Sequence, residues 1–268
     1  MPQPIRELGS APFAREAMKE RLPEFRRLLA ERPIGDNHGG MRAPHLFATW
    51  FMLQTLRPTH IVESGVFKGL GTWMLEQAAP AARLYCIEPN PGSIVYRSAR
   101  AEYFTRDFSE LSWELPREST LLFFDDHQDA LSRVELCSQS GFVHLIFEDN
   151  YPAGRGDCYS LKKALMGEPV PTPKGLAKRA LRALAGPTLV EQDPARYLEG
   201  ALATYFEFPP VHRAKTTRWG DEWAEEAYPT PATLLDGEPD PSDPFLTDAR
   251  DYTWICYAQL KPALPRAP

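Results

Sequence analysis

The segment PFAREAMKERLPEFRRLLAE at 12–31 spaces Phe13, Met18, Leu22, Phe25 and Leu29 at helical intervals with charges between them. That pattern predicts a helix covering one face of a core. A turn-rich stretch, IGDNHGGM at 34–41, leads to a second predicted helix over 45–56, which Pro58 stops. From His60 the rhythm changes: HIVE at 60–63, RLYCIE at 83–88, LLFFDD at 121–126 and FVHLIFED at 142–149 alternate with helix-length segments. Short apolar runs bounded by turns suit parallel strands covered on both faces. The predicted fold class is α/β, a doubly wound and mostly parallel sheet. Every run ends in an acidic residue, and in such sheets ligands bind beyond the carboxyl ends of the strands.

After Asn150 the pattern predicts helices over 159–166, 176–185 and 195–206, with proline-rich links at 167–175 and 231–245. YTWICYAQL at 252–260 alternates as a last strand closing the sheet. The organisation implied is an N-terminal helical cap over 1–57, then an α/β domain over 58–268 with a loop-rich substrate or lid region at about 153–250.

Composition narrows the classes. With 268 residues, 43% hydrophobic and 25% charged, the chain is an ordinary globular one with a single large core, not collagen, coiled coil or a disordered polymer. A net charge of -6 offers no basic field for phosphates, so nucleic acid is not an expected partner. No window approaches the roughly 18 unbroken apolar residues of a membrane helix, and Met1–Ser10 lacks the charge and apolar run of a secretion signal. A cytoplasmic location and a small-molecule substrate are expected, without membrane; a homo-oligomer is compatible with the sequence. Cys86, Cys137, Cys158 and Cys256 lack metal-site spacing and read as buried thiols.

Candidate chemistry begins where the first strand runs into Glu63-Ser-Gly-Val-Phe-Lys-Gly-Leu-Gly-Thr72. Glycines at 65, 69 and 71 let the backbone turn tightly and let a ligand approach a helix start. The spacing G-x-x-x-G-x-G is not the dinucleotide G-x-G-x-x-G, and no G-K-[ST] follows, which disfavours nicotinamide cofactors and ATP. Further on, Phe124-Asp-Asp-His-Gln-Asp129 and Phe147-Glu-Asp-Asn-Tyr-Pro152 close two consecutive predicted strands. Asp126, Asp149 and Asn150 would then meet on one rim as a hard oxygen site suited to Mg²⁺. Unneutralised, so many acids repel one another and raise some pKa values.

An acidic residue followed by G-x-x-x-G resembles the first motif of the S-adenosylmethionine-dependent methyltransferases of the Rossmann-like class. The resemblance implies that Glu63, Gly65 and Gly69 lie by the cofactor, Glu63 and Gly65 beside its methionine part. It puts Glu88, at the second strand end, on the ribose hydroxyls and Asp107, near the third, on adenine. Over residues 58–152 the acidic strings are also similar to the metal sites of catechol O-methyltransferase and the macrocin-type sugar O-methyltransferases, implying Asp126, Asp149 and Asn150 as metal ligands. Where the catechol enzymes carry a lysine base, this sequence has His127, Gln128 and Asp129. His127, with an ordinary pKa near 6.5, takes the base role, so that His127 and Asp126 form the catalytic pair.

The function implied is S-adenosylmethionine-dependent O-methylation, Mg²⁺-assisted, of a hydroxyl on a sugar or natural product. A metal-independent N- or O-methyltransferase, with Asp149 and Asn150 gripping the substrate, is one alternative. A methyltransferase-like module that only binds a partner is another. Cephalosporin hydroxylase-like proteins share the E-x-G-x-x-x-G opening, so that turn alone does not fix the reaction. His38 is placed near the pocket or on a surface loop. Lys174, Lys178, Arg179 and Arg182 form a basic strip, a solvated helix face or a lid for an anionic substrate. Trp219, Trp223 and Tyr228 suit ring stacking or core packing.

Overall fold

A computed structural model of the chain describes residues 7–171, 189–224, 226–236 and 240–262. Seven strands form one sheet: β1 His60–Ser64, β2 Arg83–Ile87, β3 Ala101–Phe104, β4 Thr120–Phe124, β5 His144–Phe147, β6 Leu202–Glu207 and β7 Cys256–Leu260. Their order across the sheet is β3-β2-β1-β4-β5-β7-β6. β1 to β5 pair in parallel, and β7 runs antiparallel to both β5 and β6, so it is the single reversed strand. This is the doubly wound, mostly parallel α/β sheet that the pattern of short apolar runs predicts. The central strands are apolar throughout because both of their faces are covered; every residue of β4 is buried.

The two covers are distinct. On one face lie α1 Arg15–Ala30, α2 Ala43–Leu56 and α3 Leu70–Ala78, packed through residues such as Phe25, Phe47, Leu53 and Met74. The other carries α4 Ala130–Ser140, α5 Leu161–Leu165 and α6 Pro194–Ala201, packed through Val134, Leu161 and Leu198. α2 is buried at every position from Ala43 to Leu53, which explains its apolar character all round. The N-terminal helices share one hydrophobic cluster with α3 and β1. Among the described residues no helix is long and apolar enough to cross a membrane.

Three expectations need correction. The helix expected over 195–206 ends at Ala201, and Leu202–Glu207 is strand β6. Thr204, Tyr205 and Phe206 are residues that suit a pleated surface better than a helix. The last strand starts at Cys256 rather than 252, because Trp254 takes a left-handed φ of +61° that interrupts extension. It also does not close the sheet, since β6 occupies the edge beyond it. The basic strip of Lys174, Lys178, Arg179 and Arg182 and the helix expected over 176–185 lie outside the described residues.

Candidate active site at the carboxyl ends of the strands

Strand register brings the acidic strings to one level. Ser64 pairs with Ile87 on one side and Phe124 on the other, and Phe124 pairs with Phe147. The residues that follow, Gly65, Glu88, Asp125 and Glu148, therefore emerge side by side on one rim.

The glycine turn is built for close approach. Gly65 has φ +96° and donates its N–H to Ile87 O at 3.0 Å, and a β-carbon there would overlap the carbonyl of Asp125. Gly69, at φ +93°, caps the start of α3, where a β-carbon would overlap the carbonyl of Tyr96. Only glycine meets both demands. Glu88 holds the turn from outside: its carboxylate accepts the N–H groups of Val66 (3.2 Å), Phe67 (2.8 Å) and Asn90 (2.8 Å). Glu63 holds it from inside, buried beneath Gly71 and accepting from Thr72 Oγ1 (2.5 Å) and Cys86 Sγ (3.2 Å). Burial pushes the Glu63 carboxyl up to about 7, against the opposing hydrogen bonds.

Asp107 and Asp126 meet across Arg133. The guanidinium donates Nη1 and Nη2 to Asp107 at 3.0 and 2.6 Å, and Nη2 also reaches Asp126 Oδ2 at 2.7 Å. Asp107 further caps a short turn through Ser109 N. Its pairing with Arg133 holds the Asp107 carboxyl well below the usual range despite partial burial. Asp126 Oδ2 additionally accepts from Ser64 Oγ at 2.7 Å.

The residues that converge on a cavity are different ones. Asp125, His127 and Asp149 place their ligand-type atoms within 4.8 Å of one another. Asp126, expected as metal ligand and catalytic partner, points to Arg133, because consecutive side chains leaving a strand end face opposite sides. Asn150, the third expected ligand, is fully buried; its Nδ2 donates to Tyr205 OH (2.7 Å) and its Oδ1 accepts from Lys162 N (2.9 Å). Asp149 alone of the expected ligand set stands in this corner. His127, the expected base, has φ +53°. Its Nδ1 lies 3.0 and 3.1 Å from the oxygens of Asp157, and its Nε2 lies 3.4 Å from Asp149 Oδ2.

A second histidine stands behind the corner. His45 on α2 is buried and accepts the Thr253 N–H at Nε2 (2.9 Å), so its hydrogen sits on Nδ1, 2.5 Å from Glu148 Oε1. Burial lowers its pKa to about 3, against the attraction of Asp149, in keeping with a neutral ring. Crowding shows in the acids. Burial, Glu148 and Asp149 raise Asp125, and burial together with Glu148 pushes Asp149 up to about 8. Burial also raises Glu148, whose carboxyl hydrogen-bonds both Asp149 and Asp125. Burial disfavours charge on His127, yet Asp149 and Asp157 outweigh it and raise the ring's pKa.

The cavity has a volume of about 130 Å³ and is roofed by His38–Arg42, with Asp125, His127, Glu148 and Asp149 as its floor and Tyr151 and Arg218 at its side. His38 thus lines the pocket. Gly39 rests on the ring of Phe67 from the glycine turn, which joins roof to turn. Tyr228 is buried and Trp219 and Trp223 are half-buried, grouped around buried Trp254 with ring centroids 6.1 Å (Trp219), 5.1 Å (Trp223) and 6.1 Å (Tyr228) from it.

Asp125, Glu148, His45, Asp157 and Arg133 escaped the sequence reading. The first two stand inside the acidic strings, but a pair of adjacent acids does not declare which one faces the cavity. His45 and Asp157 come from a helix and a loop remote in sequence, and Arg133 from the helix that follows β4, where nothing in the sequence marks it as the partner of Asp126.

No protein-family model matches the chain, and no curated protein matches it. Solved structures similar to it include an O-methyltransferase from Bacillus cereus in complex with SAH, 14% identical, TM-score 0.42, over 93% of this chain and 92% of that one. A second is an SAH-bound methyltransferase from Podospora anserina, 16% identical, TM-score 0.38, over 53% and 74%. A third is a putative O-methyltransferase from Klebsiella pneumoniae, 13% identical, TM-score 0.37, over 62% and 82%.

Proposed function

We propose that the protein is an S-adenosylmethionine-dependent O-methyltransferase, assisted by a divalent cation, acting on a hydroxyl of a small molecule such as a sugar or natural product. The observation that carries this reading is the contact of the glycine turn with the acidic corner: Gly65 packs on the backbone of Asp125, whose side chain belongs to the Asp125–His127–Asp149 group. A donor seated on the turn and an acceptor held at the corner would then be neighbours, as in-line transfer requires.

The donor set fits a cation. Two carboxylates and an imidazole converge, and burial together with the neighbouring Glu148 raises the proton affinity of Asp125 and Asp149, a cost of holding charge there that a cation would offset. When bound, S-adenosylmethionine supplies the methyl group and a divalent ion makes an acceptor hydroxyl more acidic. The chain does the rest. Glu88 fixes the turn through Oε2, which accepts from Val66 and Phe67, while Oε1, engaged only by Asn90 N–H, keeps a lone pair for a ribose hydroxyl. The free N–H groups at the start of α3 face the turn and favour an anionic group, such as the carboxylate of the methionine part. Asp125 and Asp149 aim the acceptor. Glu148, fixed by His45 Nδ1–H, can hold the released proton on its carboxylate. The roof of His38–Arg42 limits the acceptor's size and its exposure to water.

A metal-free reading has one observation in its favour. His127 backed by Asp157 is also the arrangement of an oriented general base.

The test is transfer of labelled methyl from S-adenosylmethionine to catechol, free monosaccharides and nucleotide-linked sugars, with and without EDTA. Transfer to an oxygen that EDTA abolishes and a divalent ion restores is the expected result. Transfer that survives EDTA would favour the metal-free reading, and no binding of S-adenosylmethionine would overturn both.

A further inference from the structure

Both ring nitrogens of His127 face carboxylates on opposite sides. Nδ1 lies between the two oxygens of Asp157, at 3.0 and 3.1 Å, and Nε2 is directed at the corner, 3.4 Å from Asp149 Oδ2. An ionised carboxylate only accepts, so Nδ1 carries the hydrogen toward Asp157, and in the neutral ring Nε2 keeps its lone pair for whatever lies between Asp125 and Asp149. Histidine ligands are held in this way: the far N–H goes to a carboxylate, which fixes the tautomer, aims the ring and strengthens the ligating nitrogen. The ligand-type atoms of His127, Asp125 and Asp149 already lie within 4.8 Å of one another.

We infer that His127 is a direct ligand of the cation, through Nε2, beside Asp125 and Asp149, and that Asp157 is the residue that orients it. This rests on the cation-assisted reading and deepens it in two ways. The bound ring is not available as the general base that the metal-free reading would make of it, which leaves the acceptor's proton to Glu148. The site also prefers a first-row transition ion such as Mn²⁺ over Mg²⁺, because imidazole suits the former and Mg²⁺ favours all-oxygen surroundings.

The experiment titrates EDTA-stripped protein with Mn²⁺ alone, following free ion by electron paramagnetic resonance and nitrogen ligation by ¹⁴N modulation of the bound ion's spin echo. Wild type should bind Mn²⁺ with ¹⁴N modulation and prefer it over Mg²⁺ by about tenfold or more. His127→Gln should lose the modulation and weaken Mn²⁺ by at least about tenfold, while Asp157→Asn should keep the modulation and weaken Mn²⁺ by about tenfold. His127 is half-exposed, and metal-free affinity for S-adenosylhomocysteine checks that each variant is folded. Failure of the wild type to bind S-adenosylhomocysteine would strike the methyltransferase reading and leave the Mn²⁺ result to stand or fall separately. Wild type that binds no Mn²⁺, bound Mn²⁺ without nitrogen modulation, or unchanged Mn²⁺ affinity in His127→Gln would each overturn the inference.

Discussion

Gly65 and Asp125 touch through their backbones, with no room for a β-carbon between the turn after β1 and the carbonyl after β4. The contact ties the cradle for a donor to the floor of the acidic cavity. Gly65→Ala should force a side chain into a left-handed φ of +96° and into that carbonyl. The backbone conformation alone costs about 1–2 kcal/mol, and the overlap adds to it. Gly154 is a control, since it also has a positive φ, +72°, but open space around it. Urea unfolding should show Gly65→Ala clearly less stable than Gly154→Ala, with S-adenosylhomocysteine affinity lost only in the former. Equal stabilities would mean the turn yields and the contact does not constrain the site.

Glu88 gathers three backbone N–H groups from two loops. Glu88→Gln removes the charge and half of the acceptor capacity. Hydrogen bonds to a charged group contribute about 1.5–3 kcal/mol, and calorimetry should find S-adenosylhomocysteine affinity weaker by roughly that amount. Unchanged affinity would place the ribose elsewhere.

Arg133 is buried between Asp107 and Asp126. Arg133→Met keeps much of the volume and strands both carboxylates. Removing one partner of a buried ionic group costs on the order of 3 kcal/mol, so Tm should fall markedly at neutral pH. The depressed carboxyl of Asp107 adds a sign: its pairing stabilises the fold above the ordinary carboxylate range and fades as acid protonates it. The gap between wild type and Arg133→Met should therefore narrow below about pH 4. A gap that is constant with pH would contradict the pairing.

The position of these acids shows what a sequence reveals. Strands β1, β2, β4 and β5 announce themselves because burial on both faces demands short apolar runs, and the glycine turn announces itself because Gly65 and Gly69 meet demands no other residue can. The choice of Asp125 over Asp126 is decided by which side of the sheet each faces at the strand end, and Arg133 on α4 claims the second. His45 reaches Glu148 from a helix about 100 residues upstream, a meeting that no local spacing encodes. β6 follows α6 directly, and the apolar spacing of Leu198, Leu202 and Tyr205 continues across Gly200, which hid the boundary.

Glu63 gives a prediction in pH. Its buried carboxyl titrates near 7 instead of the ordinary 4.5, so between those values the unfolded chain releases a proton that the folded one keeps. The group's contribution is most favourable below 4.5, is lost as pH rises, and levels off above 7; the loss is on the order of 3 kcal/mol. Glu63→Gln removes that slope. In EDTA, the variant's unfolding free energy should gain on wild type by that order between pH 4.5 and 7.5. A difference that does not vary with pH would show Glu63 ionised in the folded protein.

The adjacency of donor cradle and cation corner is open to direct measurement by NMR, using S-adenosylmethionine labelled with ¹³C in its methyl group and bound to the protein. Adding Mn²⁺ should broaden the methyl resonance severely, since relaxation by the paramagnetic ion falls with the sixth power of distance, and Asp149→Asn should relieve the broadening. A bound methyl group that stays sharp when Mn²⁺ occupies its site would show the two to be far apart and would contradict the account.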